Sequence, residues 1–309
     1  MKALRFHEYG DPGVLRIDEI DRPAPGAGQA LVRVAGTSFN PVDATFRAGF
    51  MQQAVPLGLP HIPGIDVAGT VESLGDGVTG PAVGTAVFGF LPMNENGAAA
   101  DYVLAPAGIL APAPAGIPLA DAAAVPAVAL TAWQALHEHA ALQAGRRILI
   151  NGAGGAVGNY AIQFAKLIGA TVIATASPRS RAAVAAAGPD EIIDHTTTDP
   201  VQAAGPVDVV LNLIRTDDAA MAALVGLIVP GGVLVSTGSP AEEDADRKVR
   251  AISMRVRSDA GQLAEIARRI DAGSVTVDVR GRYPLAEAAR VHELAAAGEL
   301  SGKVVITVP

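Results

Sequence analysis

The sequence predicts an α/β protein, a doubly wound parallel sheet joined to a β-rich domain. Its first hundred or so residues read as short β-prone runs between turn residues, and the stretch from about Leu119 alternates apolar strands with helices. One of those strands runs through a glycine cluster straight into an amphipathic helix. A length of 309 residues, with 50% hydrophobic and 17% charged, is enough for two packed cores and too weakly charged for disorder.

The β-rich part contains LRI around Leu15, ALVRVA from Ala30, VAGTVESLG from Val67 and TAVFGF from Thr85. Val, Ile, Thr and Phe suit a pleated, half-buried surface, and the intervening Gly, Pro and Asp divide it into short strands. Residues 105–126, APAGILAPAPAGIPLADAAAVP, are dense in proline, which limits regular structure and fits a connection, so the domain boundary is placed near Leu119. Beyond it the expected order is helix 127–139, strand 147–151, helix 157–168, strand 171–175 and helix 179–187. Strands 191–194, 207–211, 232–236 and 251–256 follow. Short apolar strands alternating with helices indicate a parallel sheet covered on both faces. The tail from Asp259 reads as a helix in GQLAEIARRIDAG, an extended segment, a helix in LAEAARVHELAAAG and the strand GKVVITV.

With 23 basic and 31 acidic residues the chain carries a formal charge of -8 at pH 7. Such a field repels nucleic acid and anionic membranes, so neither is expected as a partner. The opening MKALRFHEYGDPG lacks the apolar run of a signal peptide, and no later stretch is long and apolar enough to span a bilayer, which leads to the expectation of a cytoplasmic protein. The absence of cysteine rules out disulfides, a thiolate nucleophile and every zinc site built on Cys ligands.

The most specific feature is RILINGAGGAVGNYAIQFAKLIGA, residues 147–170. Gly152, Gly154 and Gly155, with Gly158 behind them, permit a tight turn and close approach of backbone to a pyrophosphate. The amides of Ala156 and Val157 open the helix whose dipole meets that charge. The glycines do not follow a simple GxGxxG spacing, so the strand-to-helix context carries the reading of a dinucleotide site. The next strand, TVIATA, ends in SPRSR. An acid at that place would bond a ribose 2'-hydroxyl, whereas Ser177, Arg179 and Arg181 suit a 2'-phosphate, which makes NADPH the expected cofactor. The bland alternative is a solvated helix start.

The segments MKALRFHEYGDPGVLRI, SFNPVDATFRAG, PGIDVAGTVESLG, ALTAWQAL, NGAGGAVG, VDVVLN, PGGVLVSTG and GKVVITV occur in this order. In this the chain resembles the medium-chain dehydrogenase/reductase superfamily over nearly its whole length, in the zinc-free quinone oxidoreductase (zeta-crystallin-like) branch. The resemblance implies a GroES-like catalytic domain of residues 1–118 and 258–309, a Rossmann domain of residues 119–257, a cleft between them and a homodimer paired through the last Rossmann strand. Zinc members of the superfamily carry a Cys near the first turn and a GHE motif; here those places read Asn40 and Gly64, Ile65, Asp66, so no metal is expected. Hydride transfer then calls for a small-molecule acceptor that is already electrophilic, a quinone or an activated enone.

By the same resemblance Asn40 and Asp43 are the candidate catalytic residues at the nicotinamide end, and Thr131 in ALTAW bonds the cofactor near its ribose or phosphate. His195 falls where relatives carry Tyr against the adenosine. Asn212 ends the strand VDVVLN beside the cofactor groove, although the following IRTDD departs from the glycine-containing stretch of relatives. Thr237 in VSTG and Val256 in SMRVRSD are placed toward the nicotinamide, and Lys303 matches a family lysine near the cleft. Each has a structural alternative: NPVD is a good turn, Thr131 a helix cap, Val256 a core residue and Lys303 a solvated charge. Two further readings stay open. One is an enoyl or enoyl-thioester reductase, biosynthetic in role, against which Phe50 stands near the place where relatives have a tyrosine. The other is a non-catalytic NADPH-binding or sensor protein.

Overall fold

Residues 1–309 are all described in the computed structural model of the chain, which divides into one unit of Met1–Ala127 with Ser258–Pro309 and a second of Val128–Arg257. In the first unit, β1 (Lys2–Phe6) and β2 (Leu15–Glu19) form an antiparallel hairpin. Then come β3 (Gln29–Ser38), the short helix α1 (Pro41–Arg47), β4 (Asp66–Leu74), β5 (Ala86–Phe90), β6 (Tyr102–Pro106) and β7 (Ala111–Pro112). Pro41 opens α1, a position where its missing N–H costs nothing and its fixed φ already suits the helix.

Helix α2 (Pro126–Gln134) leads into the second unit. There follow β8 (Arg147–Asn151), α3 (Ala156–Ile168), β9 (Thr171–Ala176), α4 (Arg181–Ala186), β10 (Glu191–Asp194), α5 (Pro200–Ala204), β11 (Val207–Asn212), α6 (Asp218–Leu227), β12 (Ile228–Ser236) and β13 (Arg250–Ser253). The six strands run parallel in the order β10-β9-β8-β11-β12-β13. Winding therefore reverses between β8 and β11, and at such a switch point the carboxyl ends of the strands leave a crevice for a ligand. Helix α3 buries Tyr160, Ala161, Ile162, Phe164 and Ala165, and it stops at Gly169, whose left-handed φ of 90° closes the last turn.

The chain then returns to the first unit as α7 (Ala260–Asp271), β14 (Val279–Pro284), α8 (Ala288–Ala296) and β15 (Lys303–Thr307). The sheet there is ordered β14-β15-β3-β4-β5-β7, with β6 also on β3. Strand β15 pairs antiparallel with β3, Val305 opposite Ser38, which carries Lys303 to the end of β3. Arg282 on β14 bonds Asp121 through Nε at 2.8 Å and Nη2 at 2.6 Å, a two-point pair that ties the tail to the segment before α2. No helix is long and apolar enough to cross a membrane.

The doubly wound sheet and the β-rich domain are thus both present, with shifted element boundaries. The helix expected over 127–139 is α-helical only to Gln134 and continues as a π-helical turn, Ala135–His139. The strand expected over 251–256 ends at Ser253, and Met254 N then bonds Ser236 O. The proline-rich connection holds β7 and a 3-10 helix, Leu119–Ala124, because Ala122, Ala123 and Ala124 are small enough to lie buried against β3 and β4.

Candidate active site

In the second unit β8 ends at Asn151, and the chain turns through glycines into α3. Gly152 has a φ of 86°, and a Cβ there would stand 2.5 Å from Ile214 Cγ2, so this turn admits only glycine. A Cβ on Gly154 would meet Ser180 Oγ at 2.6 Å, whereas one on Gly155 would find no protein atom nearer than Gly152 O at 3.8 Å, so the loop is open at Gly155. No side chain caps α3 at Gly155, which leaves the first-turn amides, those of Ala156 and Val157 among them, to receive an anion. A mostly apolar cavity of about 310 Å³ adjoins the loop, lined by Asn151, Gly152, Thr175, His195, Ile214 and Thr216 among others. This combination fits a nucleotide, its phosphates on the helix and its base in the cavity.

Side chains around the turn hold one another. Thr175 Oγ1 accepts Gly152 N at 2.9 Å, Asn151 Nδ2 donates to Asn212 Oδ1 at 2.9 Å, and Asn212 Nδ2 donates to Ile214 O at 3.0 Å and Thr216 Oγ1 at 3.1 Å. Asn212 is fully buried, and its polar atoms are used in shaping the 212–216 loop. Beyond β9, Ser177 N donates to Ser180 Oγ at 3.0 Å, and Arg179 and Arg181 are exposed. Asp194 lies one strand over, in register with Ala176. Its carboxylate accepts Thr196 Oγ1 at 2.6 Å and Thr196 N at 2.9 Å, bonds that hold it below the usual carboxylate range. Thr131 and Val256 are half-buried, and Thr237 is exposed at the end of β12, its N–H on Asn212 O at 3.0 Å.

In the first unit β3, α1, β4 and β15 bring together Ser38, Asn40, Asp43, Asp66 and Lys303, all buried. Asp43 Oδ2 accepts Asn40 N at 2.8 Å and Oδ1 accepts Gly64 N at 3.1 Å. Burial outweighs these bonds and raises the Asp43 carboxyl to about 6; nearby Asp66 adds to the rise, and the Lys303 ammonium opposes it. Asp66 Oδ1 accepts Ala127 N at 2.7 Å, while its Oδ2 accepts Ser38 Oγ at 2.5 Å, Asn40 Nδ2 at 2.8 Å and Lys303 Nζ at 3.2 Å. Lys303 Nζ also donates to Asn40 Oδ1 at 2.6 Å and Phe39 O at 3.3 Å.

Asn40, Asp43 and Lys303, singled out in the sequence, therefore meet in one set, and Gly152 and His195 share one cavity. Ser38 and Asp66 are the members that sequence reasoning did not assign a role. Their signal is faint: an acid at the head of the apolar run DVAGTV is out of place in a buried strand unless it is paired. No three His, Cys, Asp or Glu side chains converge. At Asp66 the neighbouring groups are an ammonium, a carboxamide and a hydroxyl, so the residues present do not fit a metal site.

Residues 26–115 match the alcohol dehydrogenase GroES-like domain family, and residues 187–306 match the zinc-binding dehydrogenase family. The chain is 30% identical over 314 residues to the quinone oxidoreductase of Mus musculus, covering 95% of this chain and 93% of that one. It is 32% identical over 318 residues to an NADPH-dependent alkenal/one oxidoreductase, chloroplastic, of Arabidopsis thaliana, covering 99% and 79%. With a chloroplastic quinone-oxidoreductase homolog of Spinacia oleracea the identity is 34% over 212 residues, 67% of this chain, and the match spans 64% of that protein's length. Among solved structures, the quinone oxidoreductase from Coxiella burnetii superposes with a TM-score of 0.90 at 28% identity, covering 100% of this chain and 99% of that one. A mycobacterial protein complexed with NADPH superposes with a TM-score of 0.84 at 28% identity, covering 99% and 100%. A doubly wound sheet with a glycine turn at its switch point, together with a GroES-like β-rich unit in the same chain, is the architecture of the medium-chain dehydrogenase/reductase class. The chain belongs to the medium-chain dehydrogenase/reductase superfamily, in its quinone oxidoreductase branch.

Proposed function

We propose that this chain is an NADPH-dependent, zinc-independent reductase that passes a hydride to a quinone or an activated enone. The observation that carries this reading is the glycine turn at 152–155, open at Gly155 and running into an uncapped α3 beside an apolar cavity. In this reading the amides of Ala156 and Val157 receive the pyrophosphate where it passes over the open backbone of Gly155, and the adenosine enters the cavity against His195. Ser177, Arg179 and Arg181 receive the 2'-phosphate. Asp194, one strand over from the end of β9, takes both of its Thr196 bonds on one oxygen, Oδ1. The NADPH named for the Arabidopsis relative and for the mycobacterial structure supports the same choice.

Thr131, Thr237 and Val256 are assigned to the nicotinamide half, and Asn212 to fixing the turn. When bound, the reduced nicotinamide supplies two electrons as hydride, and with one proton from solvent a quinone becomes a hydroquinone, or an enone a saturated carbonyl. Asn40 supplies a hydrogen-bond donor for the oxygen that gains negative charge. Two copies pair through the outer edge of β13, which is bonded to β12 on one side only and is a ready template for a second chain.

The test is steady-state NADPH oxidation with a planar quinone and an acyclic enone as acceptors, NADH as the alternative donor, and a chelator present or absent. Turnover that prefers NADPH and ignores the chelator supports the reading. Tight NADPH binding without turnover on either acceptor contradicts it and points to a binding or sensor protein.

A further inference from the structure

Ser38, Asn40, Asp66 and Lys303 form a closed hydrogen-bonded set in which no member is more than 5% exposed. An ammonium has three hydrogens, and that of Lys303 meets three acceptors: Asn40 Oδ1 at 2.6 Å, Asp66 Oδ2 at 3.2 Å and Phe39 O at 3.3 Å. None is left for a ligand. The Asn40 carboxamide is gripped at both ends, its oxygen by the ammonium and one Nδ2 hydrogen by Asp66 Oδ2 at 2.8 Å. Only one of its two orientations is compatible with those partners, because the flipped amide would set an NH₂ against an ammonium and an oxygen against a carboxylate. Besides Asp66, Nδ2 has only the long contacts to Ser38 O and Oγ, both at 3.5 Å, so no second partner holds it firmly.

Burying an ion pair is seldom the most stable solution for a core, since apolar residues of similar volume do as well or better. What this pair supplies is direction. We propose that Lys303 and Asp66 are positioning residues that lock the Asn40 carboxamide, so that its second Nδ2 hydrogen is held toward the acceptor oxygen that gains charge during reduction. This rests on the reductase reading above. A donor fixed before the reaction needs no reorganisation during it, and the ammonium on Oδ1 polarises the amide into a stronger donor.

The test is the paired substitution Lys303→Met with Asp66→Asn, which leaves no lone buried charge. The carboxamide introduced by Asp66→Asn keeps its oxygen on Ala127 N and turns its NH₂ toward Asn40, and with the ammonium gone Asn40 inverts to meet it. Expected is a fall in kcat of about 10- to 100-fold, with NADPH affinity within about threefold of the parent. Combining the pair with Asn40→Ala is expected to slow turnover no further than Asn40→Ala alone, because the two act through one group. Losses that multiply overturn the proposal, since Lys303 and Asp66 would then act independently of Asn40.

A second readout needs no turnover: the side-chain amide pair of Asn40 in a ¹⁵N-labelled protein, assigned by its loss in Asn40→Ala. The parent is expected to show two widely separated, slowly exchanging amide hydrogens, and the paired variant to lose that separation. An amide pair unchanged in the variant refutes the lock. A parent that reduces no acceptor refutes the reductase reading, and the amide pair still decides the lock.

Discussion

Gly64 N donates to Asp43 Oδ1 across 3.1 Å, and together with Asn40 N on Oδ2 it compensates a carboxyl that is only 3% exposed. The compensation is partial, because burial still raises Asp43 from 3.8 to about 6. Between those values the folded chain binds a proton that the unfolded chain releases. The stabilising contribution is therefore complete below the unfolded value and is lost as pH rises through about 6. Asp43→Asn abolishes this titration, and groups that do not interact with Asp43 cancel in the difference. Measured by urea unfolding, the stability of the parent relative to Asp43→Asn is expected to fall by about 2 to 3 kcal/mol from pH 4 to pH 7. A difference that does not change with pH would mean Asp43 titrates as it does in solvent.

Gly155 offers a test of the nucleotide site that separates ligand from protein. A Cβ there meets nothing of the chain within 3.8 Å, so Gly155→Ala is expected to cost less than about 1 kcal/mol in stability, the price of a poorer helix cap. The methyl group would stand where a phosphate approaches the backbone, and NADPH affinity by calorimetric titration is expected to fall at least about tenfold, or 1.4 kcal/mol. Gly152→Ala behaves differently, since its φ of 86° and the 2.5 Å approach to Ile214 Cγ2 strain the fold itself. Unchanged affinity in Gly155→Ala would remove the pyrophosphate from this loop.

The glycine turn was legible in the sequence because its demands are local: one residue must adopt a positive φ and its neighbours must leave backbone uncovered. Strands β8 to β12 were legible because each is a short apolar run between helices. The first-unit set was only half legible. Asn40 and Asp43 lie within one turn of chain, but Asp66 and Lys303 are 237 residues apart and meet through the pairing of β15 with β3, a register that no local pattern encodes. Lys303 alone in SGKVVITV reads as a solvated charge, and it is buried because β15 lies inside the sheet between β14 and β3. Asn212 was legible in part. Its place at a strand end marks a groove residue, and the structure adds what no local pattern gives: Asn151 stands directly opposite on β8 and donates to Asn212 Oδ1, while Asn212 Nδ2 bonds Ile214 O and Thr216 Oγ1.

Arg179 and Arg181 are exposed beside the end of β9, where a charged bond to phosphate is screened by solvent and salt. Arg179→Ala with Arg181→Ala is expected to weaken NADPH binding by about 10- to 100-fold, within the range of one or two charge-assisted bonds. NADH binding is expected to change by less than about twofold, because NADH has no group for these side chains to meet. Raising the ionic strength should narrow the preference of the parent in the same direction. Equal losses for both dinucleotides would show that the arginines support the loop and do not read the 2'-phosphate.

The pairing of Lys303 with Asp66 makes a prediction about stability that is separate from turnover. Lys303→Met leaves the Asp66 carboxylate, itself fully buried, with Ser38, Asn40 and Ala127 as donors but no opposite charge. Breaking a buried pair from one side typically costs about 3 to 5 kcal/mol, far more than an exposed pair contributes. Thermal and urea unfolding are expected to show a loss of that order for Lys303→Met. Adding Asp66→Asn removes the stranded charge while keeping an acceptor for Ala127 N, so most of the loss is expected to be recovered. The two substitutions are thus strongly non-additive, the doubly substituted protein being more stable than Lys303→Met alone. Simple additivity would mean that the ammonium and the carboxylate do not interact across the 3.2 Å that separates them.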